Sequence, residues 1–337
     1  MKLETAAFGL HSHDGIALGA VECPTDYTWS RELNEVSRLS LAAPVQEVTE
    51  QVIPFVHWIS CWHGQRLQWV GPIETVDRDR SSMQIEARDL STLMWRTRTQ
   101  ITREWTQLDV GPIAADIWRD MLELHEIDAD PIVLPAASEQ GRYNVAVKAD
   151  LKMVHQDMAE LSKLGLRWTV VAGRPVLGTQ PAGVVAELEE CHISEGARIR
   201  RSAKTSANDV RVQGQNSQHT VRLPMGGLRL QAIVSLDDLR GTNNIAVAAE
   251  DRARRTAVIR DELVIPSSAT LTPDAPVELD QLVPGVHISV SALGLRSVLR
   301  VDQLQVTGSP NGMDVAVTLS TPEVVDELAR AGGQVVS

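Results

Sequence analysis

Several features that define common protein classes are scarce or missing in this sequence of 337 residues. Only three cysteines occur, Cys23, Cys61 and Cys191, and their odd number and wide spacing argue against a disulfide framework. There is no run of about 18 apolar residues and no basic-plus-apolar leader after Met1, so neither a membrane span nor a secretion signal is predicted. We therefore expect a protein that is made and assembled in a cytoplasm.

Motifs that carry catalysis or bind nucleotides are also missing. The sequence contains neither the Gly-x-Ser-x-Gly nucleophile elbow nor the His-Glu-x-x-His zinc helix. It contains no Walker loop and no dinucleotide fingerprint, and we interpret Gly226, Gly227 and Gly294 as turn glycines. We therefore expect no enzymatic activity and no cofactor.

Acidic residues outnumber basic residues. The 44 Asp and Glu against 32 Lys and Arg give a formal net charge of −12. A protein that grips nucleic acid along a basic surface is therefore not expected. A wall past which nucleic acid slides would benefit from this repulsion, although ordinary solubility explains the same surplus of charge.

Residues 66–90 predict a β-hairpin followed by a short helix. Apolar residues recur on both sides of a polar turn at residues 77–82, as in two paired strands. Directly after the second strand, Leu90, Leu93 and Met94 are spaced by three and by one, which places them on one side of a helix. The hairpin is therefore expected to lead straight into a helical turn.

Residues 53–63 predict a strand whose side chains include candidate metal ligands. Alternation places Phe55 and Ile59 on the same face as His57, Cys61 and His63. The last three side chains could form a site for a borderline metal. A structural zinc needs a fourth ligand, which the sequence does not nominate, so buried or surface histidines without a metal are the alternative.

Between residues 99 and 195 the sequence predicts an α+β domain. Asp109 and Pro112 begin a helix whose apolar positions continue to Leu124. A second helix is predicted from Asp150 to Leu164, ended by Gly165, and a hairpin follows over residues 166–178.

From residue 196 onward strand patterns return. One helix is predicted from Asn244 to Asp261, and the chain is expected to end in a hairpin with a polar turn at residues 307–312 and a loosely helical tail. This hairpin repeats the apolar pattern of residues 66–90, either through duplication or by chance. The predicted fold is α+β and mainly β, with two similar antiparallel β-barrel-like domains at residues 1–98 and 196–337 and an α+β insert at residues 99–195.

Two stretches resemble a known family. A tryptophan-bearing strand that ends in Gly71-Pro72, a turn, and a strand that ends in Ala87-Arg88-Asp89-Leu90 before an Arg-rich helix resemble the N-terminal part of long-tailed bacteriophage tail-hub proteins. These include minor tail proteins of phages of Gram-positive hosts, baseplate hubs of contractile tails, and the hub part of tail-associated lysins. The junction at residues 163–168, Lys-Leu-Gly-Leu-Arg-Trp, is similar to the second domain of these hubs.

The resemblance implies a structural, non-enzymatic hub at the tail tip of a virion. It implies a homotrimer, in which two β domains from each chain give six around one axis, so that the ring joins a sixfold tail tube to a threefold tip. The implied partners are a distal tail protein ring, a tape measure protein and downstream tip or receptor-binding proteins, with viral DNA only in transit through the channel.

Two clusters of arginines are candidate contacts in such a ring. Arginine is favoured at interfaces, where it would meet acidic patches of neighbouring subunits. Ion pairs with nearby Asp and Glu of the same chain are the alternative. The candidates are Arg96, Arg98 and Arg103, and Arg252, Arg254 and Arg255.

Two other functions stay open. The chain could be the hub part of a cell-wall-degrading tail lysin or peptidase. Because the sequence ends at Ser337, shortly after the second predicted β domain, we expect no appended catalytic domain. Alternatively, a carbohydrate-binding tail protein would use exposed tryptophans to stack on sugars.

Overall fold

The structure, a computed structural model, describes residues 6–135, 142–178, 183–201, 203, 206–236, 241–258, 261–267, 269–310 and 312–321. Strands run through most of the described chain. They are β1 (Ala6–Ser12), β2 (Ala17–Val21), β3 (Asp26–Glu32), β4 (Arg38–Pro44), β5 (His57–His63), β6 (Arg66–Arg78), β7 (Ser82–Arg88), β8 (Arg103–Leu108), β9 (Ile132–Val133), β10 (Tyr143–Val147), β11 (Trp168–Val171), β12 (Arg174–Leu177), β13 (Val184–Glu189), β14 (Arg198–Arg201), β15 (Asp209–Gln213), β16 (Gln218–Arg222), β17 (Gln231–Ser235), β18 (Asp261–Val264), β19 (His287–Ala292), β20 (Leu295–Ser309) and β21 (Gly312–Ser320).

Helices are fewer and short. The α-helices are α1 (Glu47–Glu50), α2 (Val110–Leu124), α3 (Val154–Lys163) and α4 (Thr242–Thr256). Single 3-10 turns span Leu90–Trp95, Glu190–His192 and Leu279–Gln281. The predicted α+β, mainly β class is therefore confirmed. Within the described ranges, no helix is both long enough and apolar enough to cross a membrane.

One 11-stranded sheet contains strands from both ends of the chain, in the order β13-β19-β20-β3-β4-β7-β6-β5-β1-β2, with β21 paired to β20. The two ends meet where β20 pairs antiparallel with β3, over Gln303 to Gly308 and Glu32 to Tyr27. No closed barrel is found among the described residues. The two predicted β regions therefore share an open sheet, and their description as two barrels stays a proposal.

The two hairpins that the sequence likened to each other occupy matching places in this sheet. Each is the second and third strand of an antiparallel meander, β5-β6-β7 in one case and β19-β20-β21 in the other. In both, the register shifts by one residue near the end of the hairpin away from its turn, which leaves Glu74 and Asp302 as the extra residues. Both carboxylates pair with an arginine, since Arg88 Nε lies 2.7 Å from Glu74 and Arg300 Nε lies 2.7 Å from Asp302.

Four local predictions need correction, and tertiary pairing accounts for two of them. The second insert helix begins at Val154, because residues 150–153 run beside Thr99, which donates its amide to Lys152 O at 2.9 Å. The helix α4 ends at Thr256, and Asp261 instead begins β18, which pairs with β14. The turn predicted at residues 307–312 is shorter, since β20 runs to Ser309 and β21 begins at Gly312.

The fourth correction concerns residues 53–56, which were predicted as strand. They form a turn in which Phe55 has a positive φ of 62°, so Phe55 does not share the strand face with the residues after it. The loosely helical tail predicted after the last hairpin lies outside the described residues.

Buried side chains form two cores. The first packs β1 to β7 with β13 and the strands after residue 260, and Trp29, Ile85 and Leu304 are among its fully buried members. The second gathers the 3-10 turn Leu90–Trp95, α2, α3 and the hairpin β11-β12, together with β15 and α4. Residues on both sides of position 195 thus pack in the second core, and the division at residues 98 and 195 remains a proposal about domains.

A buried arginine links the two ends of the chain. Arg31 is fully buried, and its Nη2 donates to the backbone and side-chain oxygens of Gln68 at 2.7 and 2.9 Å. The amide of Gln68 donates onward to Asp280 at 2.7 Å. Burial lowers the pKa of Arg31 to about 10, and the nearby Asp280 partly offsets this effect. Gln68 is also the extra residue where the β5–β6 register shifts, so Arg31 supplies a partner for its carbonyl.

Gln68→Ala should lower the free energy of unfolding by about 2–4 kcal/mol, because the buried guanidinium and Asp280 each lose a partner. Arg66→Ala is the matched control. It removes an exposed ion pair to the same Asp280, which solvent screens, and should cost clearly less than Gln68→Ala. Urea unfolding of the two variants measures the difference, and equal losses would contradict a structural role for the buried chain of contacts.

Gly71→Ala should be severely destabilising. A Cβ at this position would lie 1.9 Å from the carbonyl oxygen of Arg88, which is backbone and cannot move aside easily. We expect a loss of about 3 kcal/mol or more, or failure to fold. Gly183→Ala is the control, since a Cβ there meets nothing within 4 Å. Thermal unfolding compares the two, and a Gly71→Ala protein as stable as the control would contradict the close approach.

Candidate functional site

The predicted helical turn after the second strand of the first hairpin is held by a buried aspartate. Asp89 precedes the 3-10 turn Leu90–Trp95, and its carboxylate accepts from the backbone amides of Ser91 at 2.9 Å and Ser37 at 3.1 Å. Burial raises the pKa of Asp89 to about 6, against the opposing effect of its hydrogen bonds with Ser91 and Ser37. The cap fixes where this turn begins, and so it positions Trp95 and Arg96 at its end.

Trp95 and Arg96 lie on the surface beside two aromatic partners. The ring of Trp95 stacks on His155 with 5.0 Å between centroids and an interplanar angle of 4°. The guanidinium of Arg96 lies 5.7 Å from the centre of the Phe55 ring, within cation–π range. The sequence-predicted interface candidate Arg96 therefore belongs to an exposed aromatic cluster.

The turn that carries Phe55 is tightly bonded. Phe55 N donates to Ile73 O at 2.8 Å, and His57 N donates to Ile53 O at 3.0 Å. The Ile53 amide donates to Nδ1 of His57 at 2.9 Å. These bonds hold Phe55 in a left-handed conformation that a bulky residue rarely adopts. The apolar turn is thus fixed in position at the protein surface.

A groove of about 530 Å³ lies beside this cluster, between the 3-10 turn Leu90–Trp95 and the 11-stranded sheet. We call it the Trp95 groove. It is lined by three carboxylates, three guanidiniums and three other side chains: Glu32, Glu35, Glu74, Arg38, Arg88, Arg96, Val36, Thr92 and Trp95. Its walls come from positions that are far apart in the sequence, so only the folded sheet brings them together.

Part of the groove's charge is already engaged. Glu74 accepts from Arg88 Nε at 2.7 Å and from the Thr92 hydroxyl at 3.2 Å. Glu32 accepts from the Ser30 hydroxyl at 3.0 Å and from Gln303 at 3.3 Å. Among the described residues, Glu35, Arg38 and Arg96 have no ion-pair partner, although Arg96 contacts the ring of Phe55.

The structure does not gather the three candidate metal ligands on β5 into one cluster of ligands within the described residues. His57 uses Nδ1 to accept from Ile53, Cys61 is buried in the first core, and the ring of His63 packs edge-on against Trp29 at 6.0 Å. Burial raises the pKa of the Cys61 thiol, which favours its neutral form. Within the described ranges, no cluster of three or more His, Cys, Asp or Glu side chains could hold a metal ion.

Three of the other arginine candidates have ion-pair partners in the same chain. Arg98 lies 3.0 Å from Asp150, and Arg103 lies 3.0 Å from Asp116. On α4, Arg254 lies 3.4 Å from Glu250. These exposed pairs are weak, so they leave the side chains free to exchange partners at an interface.

Arg252 and Arg255 complete the α4 cluster. Arg252 is exposed, whereas Arg255 is partly buried next to Asp251. Burial raises the pKa of Asp251, and Arg255 partly offsets this effect. The structure does not bring this cluster together with Arg96 in one site, since α4 packs against β15 and β16, whereas the 3-10 turn before Arg96 packs against β6, β12 and α3.

Sequence reasoning missed most of the Trp95 groove. The density of arginines in the sequence marked Arg96 as an interface candidate. No local sequence pattern indicated Glu35, Arg38 or Trp95. The succession of Ala87, Arg88 and Asp89 before a helical turn held one usable clue, since an Asp at that position is a preferred N-cap.

The comparisons with known proteins concern the fold. No model of a protein family matches the sequence, and no curated protein does so either. A tail protein from Neisseria meningitidis MC58 aligns with a TM-score of 0.66 at 13% identity, over 94% of this chain and 96% of that chain. The 43 kDa tail protein of prophage MuSo2 from Shewanella oneidensis aligns with a TM-score of 0.62 at 13% identity, over 94% and 98% of the two chains.

A third solved structure agrees with these two. The prophage tail protein gp18 from Listeria monocytogenes EGD-e aligns with a TM-score of 0.57 at 11% identity, over 97% of this chain and 98% of that chain. The chain therefore has the fold of phage tail proteins along nearly its whole length, and the resemblance to tail hubs is confirmed at the level of the fold.

The pH dependence of stability should report the state of Asp89. Because its pKa rises from 3.8 unfolded to about 6 folded, the folded state binds the proton more tightly. The resulting stabilisation, up to about 3 kcal/mol, is complete below pH 3.8 and is lost as pH rises through about 6. Urea unfolding between about pH 4 and pH 7 should show this fall, and Asp89→Asn should flatten it.

Asp79 in the first hairpin provides the control for this measurement. Its pKa is lowered to about 2, first of all by the backbone amides of Ser81 and Ser82, so it stays ionised in both states through most of that pH window. Asp79→Asn should therefore leave the slope close to that of the parent protein. Equal slopes for the parent and Asp89→Asn would contradict a raised pKa at Asp89.

Proposed function

We propose that this chain is the structural hub of a phage tail tip. In this proposal three copies form a ring that joins the tail tube and a distal tail protein ring to the tip proteins. The ring lines the channel through which viral DNA passes, and the tape measure protein ends above it. The protein acts without catalysis or cofactor and is assembled into the virion in the host cytoplasm.

One observation supports this proposal more strongly than the others. The meanders β5-β6-β7 and β19-β20-β21 match in strand order, and each has a register shift at the end of its hairpin away from the turn. Both belong to one sheet in a fold shared with phage tail proteins. If these meanders are the centres of two similar β domains, three chains supply six similar units. Repeated contacts whose rotation closes then give a ring with pseudo-sixfold symmetry.

The charge of the chain is compatible with a channel wall. A net charge of −12 disfavours tight binding of DNA along the protein and favours its passage. The exposed arginines Arg98, Arg103 and Arg254 would then exchange their weak pairs within the chain for acidic groups of the neighbouring copies. The exposed Arg252 would meet such groups as well.

The mass of the purified protein in solution tests the ring. Light scattering should give about three times the chain mass of 36.9 kDa at high concentration. Arg252→Glu should shift the mass toward the monomer, because it places a like charge against the acidic patch of the neighbour. Arg78→Glu, at an exposed pair with Glu50 outside the candidate set, is the control. A monomer at every concentration that also never enters virions would exclude the hub.

Two assays separate the hub from the alternative functions. A tail lysin or peptidase would reduce the turbidity of host cell-wall suspensions, and a carbohydrate-binding tail protein would bind cell-wall glycans. The hub should do neither. The exposed Trp62 and Trp95 are the residues to replace if glycan binding is found.

A further inference from the structure

The three-stranded sheet β16-β15-β17 has one face in the second core and one face toward solvent. Helix α4 packs against β15 and β16, and Val210 and Val212 of the central strand are buried in the second core. Because side chains alternate along a strand, the neighbours of these two valines point to the opposite side. We call that side the Arg211 face. The strand register places nine residues on it in three rows: Arg222, Asp209 and Gln231, then Thr220, Arg211 and Ile233, then Gln218, Gln213 and Ser235.

The Arg211 face is basic, although the protein as a whole is acidic. The three strands and the loops that connect them contain three arginines and one aspartate, and no lysine or glutamate. The aspartate, Asp209, is 4% exposed, and Nε of Arg222 and Nε of Arg229 lie 3.2 and 3.7 Å from its carboxylate. Arg211 Nε donates to the Thr220 hydroxyl at 3.2 Å, and Arg211 has no ion-pair partner among the described residues. The face and its edge therefore carry a surplus of two positive charges.

The same face also exposes apolar side chains. Ile233 is 66% exposed and lies opposite Arg211 in the ladder, and Leu228, in the loop that leads to β17, is 80% exposed. Arginine is enriched at protein interfaces, and exposed apolar side chains gain free energy from burial. Two copies of this face cannot pair about a twofold axis without bringing like charges together. Its complement is therefore a different surface, which is acidic and also exposes an apolar side chain.

A surface of this composition lies at the C-terminal end of α2. The stretch from Glu123 to Asp130 contains four carboxylates and no lysine or arginine. Glu123, Glu126 and Asp128 are exposed, and they have no ion-pair partner within the described ranges. Leu124, in the same stretch, is 53% exposed. We call Glu123, Leu124, Glu126 and Asp128 the Glu126 patch, and its charge and exposed leucine complement the Arg211 face.

We propose that the Arg211 face of one copy of this chain binds the Glu126 patch of the next copy. Arg211 pairs with a carboxylate of the patch, and Ile233 packs against Leu124. Each copy then uses one surface toward one neighbour and the other surface toward the second neighbour. Such a head-to-tail contact gives a closed ring when its rotation closes. The inference rests on the proposed hub, to which it adds one specific contact between neighbouring copies.

Nucleic acid fits the Arg211 face less well. Its binding draws affinity from many contacts between cations and phosphates, whereas two of the three arginines here already lie against Asp209. The net charge of −12 also repels nucleic acid at longer range. A second copy of the chain brings both the opposite charge and the apolar side chain.

The experiment follows self-association of the full chain by sedimentation at increasing concentration. Arg211→Glu and Glu126→Arg should each weaken association by about tenfold or more, because like charges then face each other. The chain that carries both changes should regain much of this loss, because opposite charges face each other again. Association of the parent protein should weaken as salt is raised.

Arg78→Glu is the matched control, since it reverses an exposed arginine outside both surfaces and should leave association unchanged. Arg222 stays in place in every variant because it holds the buried Asp209, and circular dichroism establishes that each variant folds. Recovery in the chain with both changes supports the contact, since a general loss of stability cannot produce it.

Three results would overturn the contact. The first is association of the parent that neither single change weakens, which leaves the hub itself standing. The second is a chain with both changes that associates no better than the single variants. The third is a parent that stays monomeric at every concentration, or whose Arg211 face binds duplex DNA or polyglutamate in place of a second copy. The hub falls with the contact only if the protein is also absent from rings in virions.

Discussion

The pairing of β20 with β3 is the constraint on which the rest of this structure depends. It joins strands that are more than 270 positions apart, as in the hydrogen bond between Gln303 and Glu32. Trp29 and Val306 lie opposite each other in this ladder, and both are fully buried. Because closing so long a loop costs entropy, the pairing must be supported by burial on both sides. The first core supplies this burial, and it contains residues from both ends of the chain.

Two contacts, one polar and one steric, make that long-range pairing specific. Arg31 reaches from β3 to the displaced residue of β6, and Gln68 carries the contact to Asp280 in the later half of the chain. Gly308 on β20 lies so close to Tyr27 that a Cβ would approach its ring within 2.0 Å. A buried charge and a glycine contact of this kind tolerate one register and penalise others, because a shift by one residue would leave the charge without partners.

The position of the Trp95 groove follows from the same sheet. Asp89 ends β7 and starts the 3-10 turn, while Gly71 on the neighbouring strand lets the Arg88 carbonyl approach closely. The turn therefore leaves the sheet at a fixed point, with Trp95 and Arg96 against α3 and the apolar turn at Phe55. The Asp89 cap and the close backbone contact at Gly71 thus determine where the Trp95 groove lies. The sequence patterns did not predict this groove.

The sequence by itself determined the features that depend on neighbours along the chain. These include the hairpin at residues 66–90, the Asp109 cap of α2, and the end of α3 at Gly165, whose φ of 105° favours glycine. Tertiary structure decided the features that depend on contacts between residues far apart in the sequence. Backbone pairing with Thr99 overrode the helical pattern at residues 150–153, and the union of both β regions in one sheet came from β20 and β3. The Trp95 groove belongs to this second group, because periodicity reports which face of an element is buried and does not report which other element covers it.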